Sequence, residues 1–122
     1  MSLSFRKQEG LMCKFKANMA VRFGIHAAII AQFIWDNIEK GSYDGRDYER
    51  DGRKWCRCSV LMMTGFFPFL SGNMIQDAVQ RLVEKKVIIK GCFNRNKFDR
   101  TNWYAFTDYG SHLMRKEGDR DG

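Results

Sequence analysis

Residues 59–86 read SVLMMTGFFPFLSGNMIQDAVQRLVEKK, and the two serines in this stretch decide the fold. Ser59 and Ser71 each precede a run able to form a helix, and a serine there accepts a hydrogen bond from the unpaired amides of a first helical turn. Pro68 stops the first helix or sits in the bend that follows it. In the second helix Ile75, Ala78 and Leu82 recur at helical spacing and form an apolar stripe. Asn73, Gln76, Asp77, Gln80 and Arg81 fall away from that stripe and face outward. Two short helices joined by a tight bend, the second turning polar side chains to solvent, are the pattern of a helix-turn-helix.

Directly after the second helix comes VIIKG, residues 87–91, a β-branched strand. A polar, cationic loop follows, and then NWYAFT, residues 102–107, a second strand. Strand, basic loop, strand is a β-hairpin. Placed behind a helix-turn-helix it makes the fold class α+β: a winged helix-turn-helix with a helical core, a small antiparallel sheet and a wing. Alternating positions of this strand must cover the core, so Trp103, Tyr104 and Phe106 are expected to be core residues.

Upstream, Ile25–Glu39 is helical, with Ala28, Ile29, Phe33, Trp35 and Ile38 repeating before Gly41 ends the helix. It is apolar over most of its circumference, so it belongs deep in the domain or in a homodimer interface. Asp51-Gly52, between Tyr48 and Trp55, predicts a small hairpin. Asp47, Glu49, Asp51 and Gly52 have the intervals of a calcium loop, but Cys58 stands where the bidentate Glu belongs, and Arg50 and Arg53 cancel the charge. LMCKFKANMAVRFG, residues 11–24, reads as a short strand followed by a helical turn. Residues 1–10 are expected to be a flexible N-terminal segment, 11–115 the winged-helix domain and 116–122 a charged flexible tail, with a last helix running through Leu113.

The chain has 122 residues, 44% of them hydrophobic and 14% aromatic, which is enough for one domain with its own core. No apolar run is long enough to span a bilayer, so no membrane association and a cytoplasmic location are expected. Net charge is +7, which favours a polyanionic partner. Its placement says more. From Lys85 to Arg100 six cations stand against one acid, Asp99, whereas Gly41 to Lys54 balances four acids with four bases.

Cys13, Cys56, Cys58 and Cys92 show only a C-x-C pair without a matching second pair, and His26 and His112 are remote in sequence. Reduced thiols, not a metal site, are the expectation. There is no phosphate-binding G-x-x-x-x-G-K-[ST] loop, no G-x-S-x-G elbow and no H-E-x-x-H pair. The sequence predicts neither a catalytic residue nor a cofactor.

The stretches GIHAAIIAQFIWDNIEK, DGRKW, FPFLSGNMIQDAVQRLVEKKVIIKG and FNRNKFDRTNWYAFT together resemble the winged-helix domain of phage and Gram-positive bacterial replication proteins, the replisome-organiser and DnaD-like group. The resemblance covers roughly residues 22–107. It implies binding to origin or replication-fork DNA, self-association, and recruitment of replication factors such as a helicase loader.

On that reading Lys90, Arg95, Lys97 and Arg100 meet phosphates, with Asn94, Asn96 and Thr101 beside them on the wing and its flank. Ser71, Asn73, Gln76 and Gln80 lie on the groove-facing helix, where Asn and Gln pair bidentately with adenine, and Arg81 takes a phosphate. A local Asp99–Arg100 ion pair is a further expectation for shaping the wing. Two alternatives stay open. The run Val60–Met63 and the cation-poor second helix suit a protein-interaction module of a replication assembly with little DNA affinity, and a transcriptional regulator shares the same architecture.

Overall fold

The computed structural model describes residues 13–121, with side chains up to Arg115. The expectations for residues 1–10, and for the side chains of the 116–122 tail, lie outside the described residues. The architecture is α+β, with five helices among the described residues and a small antiparallel sheet.

Helix α1 spans Ala17–Phe23 and α2 spans Ile25–Glu39, separated only by Gly24 at φ +97°. Among the described residues there is no strand before α1: residues 13–16 carry none, and residues 11–12 of the expected one lie outside the described residues. Six residues of α2 from Ala27 to Ile34 are buried, so this helix forms the floor of the core. Asn37 closes its far end. Its Nδ2 donates to the Phe33 carbonyl at 2.8 Å and its Oδ1 accepts from the Tyr43 amide at 2.7 Å, which pins the exit loop.

Strands β1 (Glu49–Arg50) and β2 (Arg53–Lys54) form the hairpin expected at Asp51-Gly52. Both turn residues have positive φ, 57° and 75°, the geometry a two-residue hairpin turn requires. Strand β3 (Cys56–Arg57) leads into α3 (Val60–Phe66). After a bend at 67–70, α4 covers Gly72–Glu84. Ser59 and Ser71 cap these helices as their positions predict, accepting from Met62 N at 3.1 Å and Met74 N at 3.2 Å.

Helix α4 ends where Lys86 turns left-handed at φ 64°. The Val87 amide then reaches back to the Leu82 carbonyl at 2.9 Å, and the Lys86 amide to Val83 at 3.1 Å. That closure satisfies the last carbonyls of the helix and aims the chain into β4 (Ile88–Gly91). Strand β5 is Trp103–Phe106, and α5 runs Asp108–Asp121, past the Leu113 expected as its end.

The sheet order is β3-β5-β4, with Cys56 opposite Tyr104 and Ile88 opposite Phe106. Strand β5 is therefore central, and all four of its residues are buried because both faces of the sheet are covered. On the inner face Tyr104 and Phe106 join Cys56, Cys58 and the helices in the main core. On the outer face Trp103 and Ala105 form a second cluster with Trp55, roofed by Tyr48 of the hairpin region and by Phe93. Edge-to-face ring contacts at 5.0–5.2 Å bind this roof: Tyr48–Trp103, Trp55–Phe93 and Phe93–Trp103. The core role expected of Trp103, Tyr104 and Phe106 is thus met, with Trp103 serving the outer cluster.

No helix among the described residues is long and apolar enough to cross a membrane. Cys56 and Cys58 are free thiols sealed in the main core, and burial pushes the Cys58 thiol up to about 11 and Cys56 further still. Such thiols are poor nucleophiles and poor metal ligands at neutral pH.

Candidate nucleic-acid interface

The loop 92–102 joins β4 to β5, and its shape is set from inside. Asn94 is the hub. Its Nδ2 donates to the carbonyls of Asp99 and Thr101, both at 2.9 Å. Its Oδ1 accepts from Arg57 Nε and from Trp103 Nε1, both at 2.8 Å. An amide side chain has two donors and two acceptor lone pairs, so all of Asn94's capacity is engaged.

Asp99 is the second hub. One carboxylate oxygen accepts from Arg57 Nη2 at 2.5 Å, and the other from the Thr101 amide at 3.0 Å and its hydroxyl at 2.7 Å. These Thr101 bonds, with the Arg57 guanidinium beside them, hold the Asp99 carboxyl below the ordinary carboxylate range. The ion pair expected with Arg100 is replaced by one with Arg57, which reaches across from β3. A partner on another strand fixes the loop to the sheet, which a sequence neighbour cannot do.

This network corrects two of the expected contacts. Asn94 and Thr101 are half-buried and bonded inward, so they position the loop instead of presenting polar groups to a ligand. Asn96 also works locally: its Oδ1 accepts the Phe98 amide at 2.9 Å and its carbonyl accepts the Asp99 amide at 2.9 Å, although the residue itself is exposed. Arg95, Lys97 and Arg100 are exposed at the loop surface, and Lys90 is exposed on β4. Four cations therefore stand outward from a scaffold that uses none of them.

Two residues that matter here carried no sequence signal. Arg57 lies 42 positions from its partner Asp99. Phe98, which composition alone assigns to a core, is 81% exposed at the tip, with Lys97 Nζ 5.7 Å from its ring centre.

On α4, Ile75, Ala78, Val79 and Leu82 are buried, and Asn73, Gln76, Asp77, Gln80 and Arg81 are exposed as expected. Ser71 serves as the cap described above. Gln80 is tied to Glu84 by a bond of 3.1 Å from its Nε2, which occupies one of its donors. The exposed row thus sets the acids Asp77 and Glu84 against Arg81 and, at the helix end, Lys85. The row is close to neutral, whereas the exposed side chains Arg95, Lys97 and Arg100 make the loop surface cationic.

A different surface has the opposite character. From Cys58 to Gln76 the chain has no charged side chain, and this stretch exposes Leu61 (80%), Met62, Phe66, Phe69 and Met74. Phe66, Phe67 and Phe69 also line a cleft of about 370 Å³ against Phe33 of α2. No family model, curated protein or solved structure matches the chain.

Proposed function

We propose that the protein is a DNA-binding module of the winged-helix type, without catalytic activity, in which loop 92–102 is the wing. The observation that carries this reading is a loop held from within by Asn94, Asn96, Asp99, Thr101 and Arg57, leaving Arg95, Lys97 and Arg100 exposed. A cation held on a rigid support loses little entropy on meeting a phosphate, and four such contacts with Lys90 give sequence-independent affinity. Helix α4 adds Asn73 and Gln76, whose amides suit the adenine edge in a major groove. Its acids Asp77 and Glu84 offset Arg81 and Lys85, so the loop is the main anchor. The likeness in sequence favours origin or fork DNA bound by a phage-type replication protein that recruits other replication factors. Selection of bound sequences from a random pool separates that role from transcriptional regulation.

Binding of labelled duplex across a salt series tests the reading. With four phosphate contacts, the slope of log K against log salt is expected near about −3.5, falling to about −2 for Arg95→Ala with Lys97→Ala. Undetectable binding of duplex at low salt rules the reading out.

A second reading concerns the charge-free surface of residues 58–76. In a chain of net charge +7 most faces repel a second copy, but an interface across a two-fold axis sets one patch against itself, and a patch without charge has nothing to repel. Self-association through Leu61, Met62 and Phe69 fits this chemistry. Light scattering is expected to show a dimer that Leu61→Asp turns into a monomer; a wild-type monomer at every concentration excludes it.

A further inference from the structure

We infer that Phe98 is a base-stacking residue, and that the loop selects DNA with unpaired bases over closed duplex; this rests on the DNA-binding reading above. Phe98 is one of the most exposed apolar side chains among the described residues, yet its backbone is fixed. Its amide is held by Asn96 Oδ1, and the next residue, Asp99, is bonded to Arg57, Thr101 and the Asn96 carbonyl. The ring is therefore presented on a pinned turn. In sequence its neighbours are the cations Arg95, Lys97 and Arg100 and the acid Asp99, which Arg57 pairs, and Lys97 Nζ lies over the ring itself.

An apolar aromatic face with a cation over it, on a loop that exposes two more, matches a π-face attached to phosphates, which is the chemistry of a nucleobase freed from its stack. A closed duplex offers the phosphates and hides the base faces. A single-stranded flap or fork offers both. The other aromatics of this segment cannot take the role: Trp103, Tyr104 and Phe106 are buried, and Phe93 is packed on Trp55 and Trp103.

Fluorescence anisotropy can test this with two DNAs, a hairpin-capped duplex and the same duplex carrying a single-stranded flap. The wild-type protein is expected to bind the flapped DNA on the order of tenfold more tightly, the range of one stacked base. Phe98→Ala and Phe98→Leu should bring flapped DNA down to the level of the closed duplex, with closed-duplex affinity and salt slope unchanged. Phe98→Trp should keep the preference. The side chain is too exposed for these changes to disturb packing. Equal binding of both DNAs by the wild type, or a preference that survives Phe98→Ala, overturns this inference and leaves DNA binding standing. Failure to bind either DNA removes both. Phe98-dependent sedimentation with anionic vesicles, without a flap preference, overturns it in favour of a lipid surface.

Discussion

Gly110→Ala is expected to lower stability by about 3 kcal/mol, the upper part of the range for forcing atoms into a packed site. A methyl group at this position meets the Val87 carbonyl oxygen at 2.0 Å and its carbon at 2.9 Å. Both are backbone atoms and cannot rotate away. The Val87 carbonyl is also held in place, since it accepts the Thr107 amide at 3.0 Å. Thr107 caps α5 by accepting the Gly110 amide at 2.9 Å, and its hydroxyl donates to the Lys86 carbonyl at 2.6 Å. To admit the methyl, α5 must lift away from Val87, drawing Leu113 and Met114 out of the core.

Urea unfolding measures the effect, and Gly65→Ala is its control. Gly65 lies inside α3 with nothing within 4 Å of an added methyl, so the same substitution there should stabilise by about 0.5–1 kcal/mol. A Gly110→Ala protein as stable as the wild type contradicts the close packing of α5 on Val87.

Asn94→Ala is the second large effect, about 2–4 kcal/mol, because it strips four hydrogen bonds at once. The Trp103 indole N–H is the costliest group left behind: Trp103 is only 3% exposed, and an unpaired buried donor costs about 1–3 kcal/mol. Arg57 Nε and the carbonyls of Asp99 and Thr101 also lose a partner. Asn94→Asp restores the acceptors but not the donors, and sets a negative charge against two carbonyl oxygens, so it should recover little.

The functional consequence separates shape from charge. Asn94→Ala keeps Arg95, Lys97 and Arg100, yet DNA affinity should fall because the loop no longer presents them together. Anisotropy and urea unfolding on the same sample measure both effects. Unchanged stability would mean that the loop is not held by this side chain.

Much of the fold is legible in local sequence. Ser59, Ser71 and the Asp51-Gly52 pair each act within a few residues of themselves, so their caps and turn are read from neighbours alone. The apolar run of α2 likewise declares its burial. Features of the site that depend on distant partners are hidden. Asn94 looks like a turn former because Asn favours turns, and nothing local shows that Arg57 and Trp103 converge on it. Asp99 sits beside Arg100 in sequence, but the fold brings Arg57 to it from another strand. Phe98 is misleading in the other sense, since an isolated apolar residue in a polar loop gives no periodicity from which to place it. Helix α1 was only partly visible, its short run ANMAVRF being too brief to establish a period.

The central claim is that nucleic acid meets the pinned loop 92–102, with the outer row of α4 as its neighbour. Titrating an isotopically labelled sample with a short duplex and following its amide resonances tests this most directly. The account predicts the largest shifts at the amides of Arg95–Arg100, with smaller ones at Asn73, Gln76 and Arg81. Shifts confined to Leu61–Phe69, with the loop amides unmoved, would contradict it.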